Sequence, residues 1–146
     1  MANTSRLMGF VPVKHLTGAP YNGQANIYEI PAADTSPIMR GDLVMFSDLD
    51  ATDVYPAVER IAASGQVTSG AIVGAVVGFV VVTGTSGRTP NLDVPIYRAA
   101  STKQFVLVAD APDLLFEVQD GGTVPCTLAL IGSNTGITAT AGSTTS

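Results

Sequence analysis

The run AIVGAVVGFVVV from Ala71 to Val82 carries no charge and is built largely of β-branched residues, whose stiff side chains pack well on a pleated surface. A membrane-crossing helix needs about 20 apolar residues, and this run has 12. Its length and β-branched content therefore predict a pair of buried strands at the centre of a hydrophobic core.

The remainder of the chain is rich in burial-seeking residues and poor in reactive ones. Of 146 residues, 46% are hydrophobic and 13% charged, with one His, one Cys and no Trp. That balance predicts a builder of surfaces and not an enzyme, with no cofactor or metal required for stability. A chain of this length is most simply one domain. Cys126 has no second cysteine to bridge, so folding does not depend on an oxidising compartment and a reducing cytoplasm is expected. The net charge is −5, and the seven Lys and Arg residues are scattered singly from Arg6 to Lys103. Neutralising a phosphate backbone takes several cations on one face, so nucleic acid is not an expected partner. The N-terminus MANTSRLMGFVPVKHL lacks the continuous apolar stretch of a secretory signal. A soluble protein with no membrane partner is expected.

Glycine and proline punctuate residues 1–26 at Gly9, Pro12, Gly18, Pro20 and Gly23, which disfavours a helix. The apolar residues between them predict an extended arm lying on its own domain or on a neighbour. Strand-like segments follow over Asn26–Pro31 and Ile38–Phe46, the latter with a turn at Gly41-Asp42. Tyr55–Ala63 is the best helix candidate, with a strand close behind, since Gly65 soon ends it. Pro95 makes Asn91–Ala99 an edge strand or an arm. Phe105–Ala109 and Leu114–Val118 are strands joined by the turn Asp110-Ala111-Pro112-Asp113, and Val124–Ile131 is a last strand. Beyond Gly132 the residues are small and polar, too weakly apolar to offset chain entropy alone. The expected organisation is an arm over 1–26, one β-rich domain over 27–132 and a flexible tail over 133–146. The expected fold class is all-β, a compact antiparallel sandwich or barrel with an extended N-terminal arm and a small-residue C-terminal tail.

Four patterns invite a chemical reading, and each has a plainer one. His15, Cys126 and a carboxylate would make a nucleophilic site if a base and its orienter adjoined the thiol, yet TVPCTLAL places Cys126 as a small hydrophobe in a strand. Asp48, Asp50 and Glu59 fall at the first, third and twelfth positions of a calcium loop, but Asp53 stands where the sharp turn requires Gly and Pro56 stands at the ninth. A solvated acidic loop is the better reading. Arg40-Gly41-Asp42 spells a tripeptide that some cell-surface receptors bind on exposed loops. Here it runs straight into LVMF, so Gly41 is expected to make a tight turn that Asp42 caps. Gly70, Gly74 and Gly78 share an even spacing that in a strand places all three on one face, where another backbone or a ring approaches closely. The segment Gly84–Arg88 lacks the spacing and the Lys of a phosphate loop and is read as a hairpin tip.

The segments GFVPVKHLTGAPYNGQANIYEIP, IMRGDLVMFSD, AIVGAVVGFVV and IYRAASTKQFVLVADAPDLLFEVQ together resemble the head decoration, or cement, proteins of tailed bacteriophages. The resemblance covers most of residues 9–119 and rests on a general pattern, with no diagnostic motif. It implies a β-rich virion protein, assembled in the host cytoplasm, that binds the outer surface of the capsid as a homotrimer and bridges subunits of the major capsid protein. It supplies no catalytic residues. Within that expectation Leu7, Phe10, Val11, Leu16 and Tyr21 would anchor the arm on a partner, and Arg6 and Lys14 would meet acidic capsid groups. Alternatives are another phage structural component, such as a head fibre base or tail protein, and a carbohydrate-binding β-sandwich. The latter is disfavoured by 6% aromatic residues and the absence of Trp.

Overall fold

The uncharged run forms one long strand and not a pair. In the computed structural model, which describes residues 9–49, 51, 54–61, 72–80, 97–119, 127–133 and 137, β-structure dominates and no α-helix occurs among the described residues. The strands are β1 (Val11–His15), β2 (Asn26–Ile30), β3 (Ile38–Met39), β4 (Leu43–Phe46), β5 (Val58–Arg60), β6 (Ile72–Val80), β7 (Tyr97–Arg98), β8 (Gln104–Ala109) and β9 (Leu114–Glu117). Five of them make an antiparallel sheet in the order β2-β8-β6-β4-β5, while β1 pairs with β9 and β3 with β7. The expectation of an all-β antiparallel fold holds.

β6 is nine residues long because it must serve two neighbours, pairing β4 with its first half and β8 with its second. Its register slips once against each, leaving Val73 and Val77 as extra residues. Such bulges bend a strand and raise its twist. The sheet curls until its two edges meet: Glu29 of β2 and Ala57, next to β5, form a parallel bridge, and the Glu29 N–H donates to the Pro56 carbonyl at 3.1 Å. An odd number of alternating strands leaves the closing pair parallel, so a five-stranded, partly open barrel results.

Tyr28, Ile30, Ile38, Val44, Val58, Val76, Phe79, Val106 and Val108 fill the interior. On the outer face Phe105, opposite Glu29 in the ladder, is covered edge-on by Tyr55 at 5.5 Å. Lys103 lies over the same ring, and its ammonium is 3.5 Å from the buried Glu29 carboxylate.

The bulge at Val77 also decides the glycines. A Cβ on Gly74 would collide with the Ala109 carbonyl oxygen and crowd Val108 of the core, whereas one on Gly78 would only touch Leu107 at 3.5 Å, whose neighbours in the ladder are Gly78 and Ile27. Gly74 and Gly78 thus lie on opposite faces, a correction to their expected common face, because the extra residue between them reverses the alternation. Gly70 and the expected hairpin tip over residues 84–88 lie outside the described residues.

Two other expectations change. The helix candidate over Tyr55–Ala63 contains strand β5, since Val58 and Arg60 pair with Phe46 and Val44 and the vacant edge of β4 outweighs weak local preference. Of the last strand expected over Val124–Ile131, the described part is a 3-10 turn at Leu128–Leu130. The Ile131 N–H bonds locally to the Leu128 carbonyl at 3.2 Å.

The β3-β7 ribbon owes its place to Arg98, which is 1% exposed. Its guanidinium donates to four main-chain carbonyls: Nε to Thr102 at 2.7 Å, Nη1 to Ser36 at 2.6 Å, and Nη2 to Pro31 at 2.9 Å and Asp34 at 2.7 Å. The Asp34 carboxylate lies 3.6 Å away and accepts the Ser36 N–H at 2.7 Å. Burial pulls the Arg98 pKa down and Asp34 opposes that shift. Replacing Arg98 by Met leaves four carbonyls without their donor and a buried carboxylate without its counter-charge, so Arg98→Met should lower unfolding free energy by about 3–5 kcal/mol. Arg98→Lys should recover little of it, because one ammonium cannot span the fork. Urea unfolding checks both, and a loss below about 1 kcal/mol would contradict this role. By the same measurement Gly74→Ala should cost about 1–3 kcal/mol through overpacking, with Gly78→Ala well tolerated.

Candidate interaction surface

The described part of the N-terminal arm, residues 9–26, lies along the domain and does not project from it. Gly9 meets Gly41 backbone to backbone, so tightly that a Cβ on either would strike the other's main chain. Gly41 has φ +88°, and Asp42 closes the turn by accepting the Met39 N–H at 2.8 Å, as the sequence around Arg40-Gly41-Asp42 suggested. Burial raises the Asp42 pKa; the Met39 hydrogen bond and Arg60 act against it. The Phe10 N–H donates to the Gly41 carbonyl at 2.8 Å, and the Phe10 ring stacks edge-on against Phe116 at 6.2 Å.

From there β1 pairs antiparallel with β9, with one slip at Val13. Pro12, His15, Leu114 and Phe116 turn inward, while Val11, Val13, Lys14, Leu115 and Glu117 face solvent. Val11 is 42%, Val13 46% and Leu115 38% exposed, and Leu16 beyond the end of β1 is 69% exposed. These apolar side chains, interspersed with Lys14 opposite Leu115 and Glu117 opposite Val11, come from two chain segments about a hundred residues apart.

The ribbon is held at its far end. His15 Nδ1 lies 3.1 Å from Asp113 Oδ1, the Leu16 N–H donates to the Asp113 carbonyl at 2.8 Å, and the Tyr21 N–H donates to Val13 at 3.1 Å. A carboxylate does therefore meet His15, as a base and its orienter would, but no described hydroxyl hydrogen-bonds the imidazole, and Cys126 lies outside the described residues. Chemically the pair is a clasp between the arm and the turn before β9.

Of the residues expected to grip a partner, Val11, Lys14 and Leu16 are presented to solvent. Phe10 is committed to its own domain, and Tyr21 is half-buried with its hydroxyl on the Gln24 carbonyl at 3.0 Å. Arg6 and Leu7 lie outside the described residues. Sequence reading missed Leu115 and ranked Val13 below its neighbours. The alternation of Val11 and Val13 was a usable signal for one strand, but nothing local marks Leu115 of LLFE as outward.

The acidic loop gives no cation site among the described residues, where no group of three or more His, Cys, Asp or Glu gathers. Glu59 sits in β5 and accepts the Ser47 hydroxyl at 3.2 Å, Asp48 is exposed, and Asp50 and Asp53 lie outside the described residues. A second polar group caps one end of the barrel. Asp110 accepts both Asn26 Nδ2, at 2.9 and 3.1 Å, and the Tyr28 hydroxyl at 2.7 Å. Among the described residues no helix is long and apolar enough to cross a membrane.

No known protein family, curated protein or solved structure matches this chain.

Burial, followed by the hydrogen bond to Asp110 and its charge, pushes the Tyr28 pKa up to about 12. A raised pKa favours the folded state below the tyrosine's ordinary value, and that contribution is lost as pH rises through the folded one. Removing the charge in Asp110→Asn should bring the Tyr28 titration part of the way back, with burial keeping it above the ordinary value. Spectrophotometric titration at alkaline pH measures this, and an unmoved Tyr28 would refute the coupling.

Proposed function

We propose that this chain is a non-catalytic structural protein of a tailed-bacteriophage virion, a decoration protein that binds the capsid's outer surface and stabilises it by bridging major capsid protein subunits. The observation that carries the reading is the solvent-facing row Val11, Val13, Leu115 and Leu16 on the β1-β9 ribbon. Single exposed hydrophobes are ordinary. A cluster of exposed apolar side chains on a strand pair whose other face is packed down is what a protein partner covers. The ribbon is also fastened at both ends, by Gly9 against Gly41 and by His15 against Asp113. Little ordering entropy is then lost when it docks.

Lys14 and Glu117, the cross-strand partners of Leu115 and Val11, would set register by charge complementarity. Assembly as a homo-oligomer, a trimer in the form the resemblance implies, would add avidity by engaging several capsid subunits at once. Each contact can then be modest. A low-charge, β-rich chain with one His and one Cys fits such a part better than it fits an enzyme.

The test adds purified protein to expanded capsids that lack it and measures co-sedimentation. Wild type should bind to saturation. The double variant Val13→Asp, Leu115→Asp should fold, as judged by its thermal transition, and bind at least about tenfold more weakly, a difference of about 1.4 kcal/mol. Failure of the wild type to bind any such shell, or equal binding by the variant, would overturn the proposal.

A further inference from the structure

We infer that the open seam of the barrel, between β2 and the segment leading into β5, is an acceptor site for an extended, uncharged peptide strand of another polypeptide. The inference stands on the seam alone and does not depend on the capsid reading.

Among the described residues the barrel closes through a single bridge. Because the Glu29 N–H points away from β8 to reach Pro56, and the β2-β8 register is unbroken from Asn26 to Ile30, alternation along the strand fixes the direction of the other main-chain groups. Ile27, two residues earlier, must present its N–H and C=O to the same side as Glu29. On that side it pairs with no described strand, since the main-chain pairing with the β5 segment occurs, among the described residues, only at Glu29. The result is a sheet edge with a donor and an acceptor aimed into a gap.

That gap is an open depression of about 480 Å³ lined by Ala25, Asn26, Ile27, Tyr28, Tyr55 and Pro56. From strand rise, strand spacing and sheet thickness, one residue of an added strand fills roughly 160 Å³. The depression therefore holds about three residues, and Ala25–Tyr28 offers an edge of about 10 Å, enough to pair with them. No described lining residue is charged. Proteins commonly blunt exposed edges with Lys or Pro on the strand itself, and β2 carries neither between Asn26 and Ile30. An uncharged segment with small or β-branched side chains fits best, its main chain supplying affinity and its alternate side chains meeting Tyr28 on the inside and Ile27 and Tyr55 on the outside.

The probe is a blocked hexapeptide of alternating threonine and valine, added at roughly millimolar concentration to the full chain, where even about 4 kcal/mol of association registers. In the free protein the Ile27 amide should exchange with solvent far faster than that of Glu29. With peptide, the Ile27 and Ala25 amide resonances should shift and Ile27 exchange should slow by about tenfold. N-methylating the peptide at one set of alternate residues should abolish the effect, while the opposite set should leave it intact, because only one set faces β2. Ile27→Pro, which removes the donor, should also abolish it. Should that variant fail to fold, the two methylated peptides still decide. Slow exchange of Ile27 in the free protein, no response at Ile27, or identical behaviour of the two methylated peptides would each overturn the inference.

Discussion

A guanidinium with almost no access to water holds this fold's irregular parts together. Arg98 gathers carbonyls from residues 31, 34, 36 and 102 around its planar fork, four acceptors that loops would otherwise leave to solvent or bury unpaired. An apolar side chain there would satisfy none of them, and Lys would reach only some. Because the loop after β2 and the loop after β7 are both fastened to this group, the β3-β7 ribbon stays seated. β2 and β8, which those loops leave and enter, are thereby held at the spacing that the core requires. Ser101, the single non-glycine residue with positive φ among those described, sits in the second loop and donates to Asp34.

With the loops held, the sheet is free to curl and its incomplete closure acquires consequences. Among the described residues one bridge at Glu29, reinforced on the outside by Lys103 and the Phe105-Tyr55 pair, joins the edges and no strand pairs with β2 beside Ile27 on that side. The β1-β9 ribbon adds a second surface of different character, exposing apolar side chains beside Lys14 and Glu117, locked by a glycine-glycine contact at one end and a His-Asp contact at the other. The first surface offers main-chain hydrogen bonds and the second offers side-chain burial. Both are the surfaces proposed to hold another protein, and neither assembles a nucleophile with its base among the described residues.

Much of this architecture was legible. Strands at Asn26, Leu43, Phe105 and Leu114 followed from short apolar runs between turn residues, and the Gly41-Asp42 turn followed from its chemistry. What escaped reading depended on partners distant in sequence. β5 resembled a short helix because three paired residues leave almost no periodic signal, and its strand state comes from the edge of β4. Leu115 and Val13 became a surface only when the two ends of the chain paired. Arg98 looked like one more scattered cation, since nothing beside it in YRAAS announces burial.

By itself the sequence determined the class of the fold and several of its strands and turns, because β-branched content, alternation and Gly or Pro punctuation act over a few residues at a time. Tertiary structure alone decided which face each residue occupies, where the barrel stays open and which lone charge is buried. Those outcomes turn on two bulges in β6 and on contacts between residues far apart in the chain. A one-residue slip reverses every side chain beyond it, and no local pattern records where such a slip falls.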